Sequence, residues 1–439
     1  MTLSFAAELP MPVEKQVTSG PGGRLLSNTR VWSPDSEWIV YDTRSDTAGS
    51  VFDGSTIEAV NLRTGEIKTL YESKNGARCG VVTWHPRDWK VAFILGPENP
   101  TTDWQYGPSH RQGVIVDWAK PGVAANLDAR DLTPPFTPGA LRGGSHVHIW
   151  DAAGDWVNFT YHDALVEKDI RDIGVSLPGH PVRARKDNSR NHDGEFFTVI
   201  VSRTTANPLP GSDEIKRACE ETWVGTNGYV RPDGRRQQRA LAFQGNVVTA
   251  KGETITEVFV ADLPDDLTQP GAGPLAGTSE QRPCPPKGVA QRRLTFTAQR
   301  KFPGVQGPRH WLRSSPDGSR IAFLMKDAAG LAQLWTVSPN GVPPAQLTHN
   351  PWPVASAFTW SPDGRSLALV SDNSVFLTDA ATGQSRRLTE RASDETAPRP
   401  EACVFSSDGG KIAFVRRITT GDREANQICV VFLKAGAEH

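Results

Sequence analysis

Short apolar stretches with a period of two recur along the chain, each opened by a tight-turn signature. WSPDSEWIVYD spans 32–42, WHPRDWKVAFI 84–94, WDAAGDWVNFT 150–160, SSPDGSRIAF 314–323, WSPDGRSLALV 360–370 and FSSDGGKIAFV 405–415. Alternating apolar and polar positions predict half-buried strands. Pro and Asp-Gly supply the dihedrals of a tight turn. Each stretch therefore reads as strand, turn, strand. A second element follows at a distance: GEIKTL (65–70), DARDLT (128–133), AQRRLT (290–295), PAQLT (344–348) and QSRRLT (384–389). It predicts an outer strand completing each unit.

The turn glycines Gly318, Gly364 and Gly409 are spaced by 46 and then 45 residues. That matches one four-stranded propeller blade, about 40–45 residues. The pattern predicts an all-β chain forming a single seven-bladed β-propeller over 1–439. Its blades fall at about 24–70, 80–134, 144–205, 218–297, 308–348, 354–389 and 400–434, with insertions in blades three and four. The last blade supplies only three strands of its own, ACVFSS, KIAFVRR and QICVVFL. EKQVTS at 14–19 resembles the outer strands. It is expected to pair with that blade, close the ring and remove a free sheet edge.

Composition narrows the function. The 439 residues include 40 Gly, 34 Pro and 13 Trp, with a formal net charge of −1. Such a balance has no long-range attraction for phosphate backbones, so nucleic acid is not the expected partner. No apolar run approaches the ~20 residues that span a bilayer. MTLSFAAELPMPVEK lacks a basic stretch followed by an apolar one, which reads as a cytoplasmic protein. Cys79, Cys219, Cys284, Cys403 and Cys429 show no CxxC spacing, so buried free thiols are expected.

The histidines carry the candidate chemistry. Propellers bring the first strand of every blade to the central channel. Counting back eight from the turn glycine reaches His146 from Gly154 and His310 from Gly318; the same count reaches Glu401, Ser356 and Asn28 in other blades. Blade four lies between and opens with ACEETWVG (218–225), so Glu220 or Glu221 falls near that slot. His146, His310 and Glu221 converging on the channel would suit a divalent metal, manganese, zinc or similar, with open positions. His148 stands two residues beyond His146, on the same face of a regular strand. His192, in RNHDGEFF, lies on the inserted segment and could fold over the mouth. His85 replaces the serine of the turn motif and reads as a turn residue; His162 carries no signal.

The turn-and-LT units resemble TolB-like propellers. The histidines ahead of blade strands and the long middle insertion resemble the oligogalacturonate lyase group, and a related bacterial family of unknown function. That resemblance implies a metal-dependent enzyme acting on a small saccharide. The metal would neutralise a uronate carboxylate while a base removes the adjacent proton, and β-elimination follows. Candidate bases are His148, His192, Arg309 and Lys186. Arg142 and Arg217 are candidate carboxylate clamps. Trp223 and Trp311, with Trp104 and Trp352, are candidates to stack on sugar rings. The compact Gln-His cluster of those lyases has no counterpart in the later blades. A serine hydrolase is not expected, because no G-x-S-x-G occurs. The competing class is a non-catalytic propeller that holds a protein or peptide partner.

Overall fold

A computed structural model describes residues 11–47, 49 and 51–433. The expectation about a leader therefore falls largely on residues 1–10, outside the described residues. All regular structure among the described residues is β. Gly23–Leu25, Trp38–Arg44, Thr56–Asn61 and Ile67–Glu72 form the first sheet. Cys79–Trp84, Lys90–Leu95, Gln112–Asp117 and Ala124–Asn126 form the second.

The next eight strands share hydrogen bonds in two groups. The third group is Gly143–Trp150, Val157–Asp163, Arg171–Leu177 and Phe197–Ile200. The fourth is Ile215–Trp223, Arg239–Val248, Thr254–Leu263 and Ala290–Arg293. The parallel pair Arg171↔Arg217 joins them. Arg313–Ser314, Ile321–Lys326, Ala332–Val337 and Ala345–Gln346 form the fifth group; Thr359–Trp360, Ser366–Ser371, Ser374–Asp379 and Ser385–Arg387 the sixth. The last combines Pro398–Phe405, Lys411–Thr420 and Arg423–Phe432 with Val13–Gln16, paired from Val13↔Phe432 to Gln16↔Cys429.

Apolar cores lie between successive groups. Val40, Ile57, Trp84, Phe93 and Val114 join the first to the second. Leu26, Trp32 and Tyr41 pack with Val404, Val415 and Ile428, joining the first to the last. A fully buried side chain of this size contributes about 1.5–3 kcal/mol. Three tryptophans also bond across groups. The indole N–H of Trp32 donates to Val404 O, that of Trp223 to Ile149 O and that of Trp360 to Arg313 O, each at 3.0 Å.

The repeated motifs have physical jobs. In the turn, Ser361 Oγ donates to Asp363 Oδ1 at 2.6 Å and accepts the Ser366 amide at 3.0 Å. Ser315 and Ser406 do the same with Asp317 and Asp408. His85 takes this place in the second sheet: Nδ1 accepts the Asp88 amide at 2.7 Å, and Nε2–H meets Gly154 O at 2.8 Å. It is a turn residue, as expected.

The LT pair is a clamp on one residue of the neighbouring strand. The Leu388 amide donates to Val375 O at 2.8 Å, while Thr389 Oγ1 accepts the Val375 amide at 3.0 Å. Leu347–Thr348 grips Leu334 and Leu294–Thr295 grips Val258 in the same way. Val17–Thr18 grips Ile428. That is why EKQVTS resembles the outer strands. In the second sheet the clamp is Leu127–Asp128 on Gly113. The outer strand there is Ala124–Asn126, which ends two residues before the expected DARDLT begins. Ala129–Arg130 instead pairs in parallel with Ala140–Leu141.

Ser361→Ala removes both turn hydrogen bonds of the hydroxyl and is expected to lower unfolding free energy by about 1–2 kcal/mol. Gly318→Ala is expected to cost more, because φ is +76° and its Cβ would stand 2.1 Å from Gly228 O. Chemical denaturation of both variants checks the order; equal stabilities would contradict it.

Candidate functional site

The inner strands of the second, third and fourth groups share an irregularity. Each carries one extra residue against its partner: between Gly80 and Thr83, between His146 and Ile149, and between Cys219 and Thr222. In each bulge one non-glycine residue is left-handed: Val81 (φ 57°), Val147 (φ 61°) and Glu220 (φ 52°). A bulge resets the alternation of side chains. His146 is paired with Thr160, and its ring stacks on His162 with centroids 5.6 Å apart. Thr160 Oγ1 donates to Glu221 Oε2 at 2.8 Å, so this face looks toward the fourth group. His148 lies on the other face, 6.1 Å from Phe159 and against the second sheet.

Around His146 the charges are mostly positive. Arg171 is paired with His162, and its Nε donates to His162 Nε2 at 2.9 Å. Arg171 and Arg217 are partners across the parallel junction. Arg309 Nε lies 3.2 Å from Glu220 Oε1, and Arg217 lies 3.8 Å from the same oxygen. The 108–111 segment crosses close to Gly144, where a Cβ would meet Pro108 O at 2.2 Å and the Arg111 amide at 2.9 Å. Burial, then the charges of Arg111, His162, Arg171 and Arg309, hold the His146 imidazole well below its ordinary pKa. Burial, then Arg171, Arg111 and Arg217, push His162 down to about 3. Burial alone would raise Glu220, but Arg309, the Cys219 thiol, Arg217 and Arg171 keep it below the usual carboxylate range. The cluster around His146 thus holds four guanidinium groups, one ionised carboxylate and two neutral imidazoles. The Nδ1 atoms of His146 and His162 are buried without a hydrogen-bond partner.

Several expected site residues have other work. His310 Nδ1–H donates to Pro308 O at 2.8 Å, and Nε2 accepts the Leu324 amide at 3.1 Å. Both ring nitrogens are taken by backbone. The shared slot is a backbone cap: Ser356 Oγ accepts the Val370 amide at 2.8 Å in the next group. His148 is 0% exposed; its Nε2–H meets Ser145 Oγ at 3.0 Å, and Ser145 donates to Asp128 Oδ1 at 3.0 Å. It is sealed away from the mouth and from the face of His146. The backbone of His192 pairs with Arg130, whose guanidinium holds the Arg111 carbonyl, and the buried His192 Nε2 has no partner. Lys186 pairs with Asp193 on the same loop.

Arg142 is a strut. Its guanidinium binds Asp163, Thr278 O and Gln281 O, and fastens the inserted segment to the third group. Trp223 and Trp311 pack with Val81, Val147 and Ile149 as an apolar floor, not as open stacking surfaces. Trp352 lies against Phe376, and Trp104 stacks on His110 at 3.8 Å. Arg309 and Arg217 do belong to the mouth. Glu221 is wholly buried beside it, its Oε1 unpartnered and its carboxyl pushed up to about 7 by burial. Sequence reasoning missed His162, Arg171 and Arg111. The first two follow from hairpin register: the 151–156 turn sets Thr160 opposite His146, and the next sets Arg171 opposite His162.

These donors do not fit the expected metal set. His310 has no free nitrogen, and Glu221 Oε2 is engaged by Thr160. Among the described residues no group of three or more His, Cys, Asp or Glu is placed to hold a metal ion.

The sheets and their arrangement define a β-propeller of the kind seen in oligogalacturonate lyase. A solved structure of that lyase in complex with manganese matches with a TM-score of 0.55 at 10% identity, covering 96% of this chain and 93% of that one. The TolB structure from Acinetobacter baumannii matches with a TM-score of 0.36 at 13% identity, covering 90% and 80%. In sequence, the chain is 46% identical over 410 residues to the uncharacterized protein YidR of Escherichia coli (strain K12), covering 91% of this chain and 94% of that one. Residues 78–192 match the family described as protein of unknown function DUF3748, a span that holds Arg111, His146, His162 and Arg171. The chain belongs to the YidR family.

Burial, the largest cause in each case, takes His148, His162 and His192 down to about 3 and His310 to about 4. The unfolded chain, with histidines near 6.5, binds protons that these folded rings refuse. Their contribution to stability is therefore present above about pH 6.5 and lost as pH falls toward 3–4, at up to ~1.4 kcal/mol per ring and pH unit. The raised carboxyls of Glu221, about 7, and Asp128, about 6, work in the opposite sense between their unfolded and folded values. Nitrogen NMR at pH 5 is expected to show these four rings among the ten histidines as neutral tautomers. Imidazolium signals from all ten would overturn this.

Proposed function

We propose that the sheets are seven blades of a closed ring, with Val13–Gln16 completing the last, and that the mouth above His146 and His162 is the site of a carbon–oxygen lyase acting on an acidic saccharide. The observation that carries this reading is the grouping of Arg111, Arg171, Arg217 and Arg309 around two neutral imidazoles. Guanidinium forks match a carboxylate in geometry and charge. The propeller fold, shared with a lyase of acidic saccharides, agrees with it but does not supply it.

The chemistry follows from the groups present. A uronate carboxylate set among the guanidinium groups has its charge offset, which lowers the cost of the enediolate formed when the adjacent proton is lost. His146 is neutral and its Nδ1 has no partner, so it is placed to take that proton. The C–H electron pair becomes the new C=C bond. The β C–O bond breaks, and the leaving oxygen takes a proton at the solvent-open side. An arriving carboxylate also offsets the arginine charges that depress His146, which makes the imidazole more basic when substrate is bound.

Incubation with galacturonate oligosaccharides is expected to generate the ultraviolet absorbance of an unsaturated uronate. His146→Ala should lower the rate by about 10²–10⁴-fold, the range for losing a general base, with binding largely retained. Binding without absorbance change in the native protein would favour the partner-holding propeller, with the basic mouth receiving an acidic peptide.

A further inference from the structure

The chemistry proposed above needs a cation against the carboxylate, and the residues of the mouth supply it without a metal. We propose that Arg111, Arg171, Arg217 and Arg309 together replace the metal ion: they receive and neutralise the ligand's carboxylate directly, and the site binds its acidic saccharide with no divalent cation. This rests on the saccharide reading of the same mouth.

Three observations converge on it. The first is the fate of the donors. Of the three expected ligands, His310 is capped by backbone and Glu221 is engaged through one oxygen, which leaves His146 alone with a free ring nitrogen; His148 is sealed on the far face. Glu221 is held by Thr160, and Glu220 by Arg309 and Arg217. The second is the field. Four guanidinium groups stand against Glu220, which is ionised, and Glu221, which burial raises to about 7, so at least two positive charges are in excess. A divalent cation entering that field would be repelled at every approach, and the cost rises where water is excluded. An anion is drawn in by the same field. The third is incomplete bonding. The Nδ1 atoms of His146 and His162, both on side chains about 95% buried, and Nε of Arg111 have no partner. Buried polar groups are rarely left so unless something else completes them.

The arginines are held for this purpose rather than splayed in solvent. Arg171 is fixed by His162 and Arg217 by the Cys219 sulfur at 3.1 Å. Arg111 lies over the Tyr106 ring with its carbonyl held by Arg130. Arg309 sits over the Trp311 ring at 4.6 Å while its side chain remains 61% exposed. It is the group a ligand meets first, and its substitution should leave the fold intact.

Calorimetry on the full chain, stripped with a chelator, tests this with three probes: trigalacturonate, its methyl ester and manganese chloride alone. The stripped protein is expected to bind trigalacturonate as well as the untreated protein does, within about twofold, and the methyl ester at least about tenfold more weakly. Arg309→Gln should weaken trigalacturonate about tenfold or more and leave the methyl ester unchanged. Manganese alone should give no stoichiometric heat. Binding of trigalacturonate that vanishes on stripping and returns with manganese overturns the metal-free site but leaves the saccharide reading standing. Failure of trigalacturonate to bind either stripped or manganese-loaded protein removes the saccharide reading itself, and this inference with it.

Discussion

The site depends on one unfavourable backbone conformation. Val147 is β-branched and left-handed at φ 61°, a combination worth roughly 1–3 kcal/mol of strain. The bulge it creates separates His146 and His148, which a regular strand would place on one face. One ring then meets the basic mouth between the third and fourth groups; the other is locked against the second sheet through Ser145 and Asp128. Gly113 makes the locking possible, since a Cβ there would stand 2.5 Å from His148 Nε2. Parallel bulges at Val81 and Glu220 give the neighbouring inner strands the same twist. Val81, Val147 and Ile149 then meet Trp223 and Trp311 as a dry floor under the charged groups. Strain in the strand, the apolar floor and the polar mouth are one arrangement.

Around this the chain repeats two small devices. The Ser–Asp turn fixes one end of a hairpin, and the Leu–Thr clamp satisfies both the amide and the carbonyl of a single residue at the other. Because each device closes its own hydrogen bonds, it can be repeated with little regard to what lies between. The inserted segments of the third and fourth groups are tolerated for that reason, tied back by Arg142 and by Arg282, which joins Asp172 and Thr204. The exception is informative. Asp128 stands where other clamps use a hydroxyl, and burial raises its carboxyl to about 6. It keeps the clamp on Gly113 and adds the bond to Ser145 that orders His148.

Much of this was legible in the sequence, and the failures have a common physical cause. Period-two alternation, the turn motif and the LT motif gave the strands and their grouping, because each is a local pattern with a local hydrogen-bond consequence. The second outer strand was misplaced because its clamp reads Leu-Asp, five residues before a decoy LT. Counting back from turn glycines did align His310 with Ser356, but the shared slot is a cap for a backbone amide. Counting cannot see a bulge, so His146 and His148 were assigned one face. Arg142 and the two tryptophans were misread since nothing local distinguishes a strut or a floor from a binding surface. The mouth itself is assembled by register between hairpins, through Thr160, His162 and Arg171, and becomes visible only when facing residues are paired.

The clamp of Val17 and Thr18 on Ile428 joins positions 410 residues apart. On a ribosome adding about 5–20 residues per second, the first of these waits roughly 20–80 seconds for its partner. Throughout that interval the early strand is an unmatched edge. Its VEKQ composition, with all four side chains exposed in the finished sheet, offers little to a passing chain. The polar character of that strand is thus a safeguard during synthesis, when the molecule is most vulnerable to sticking to itself.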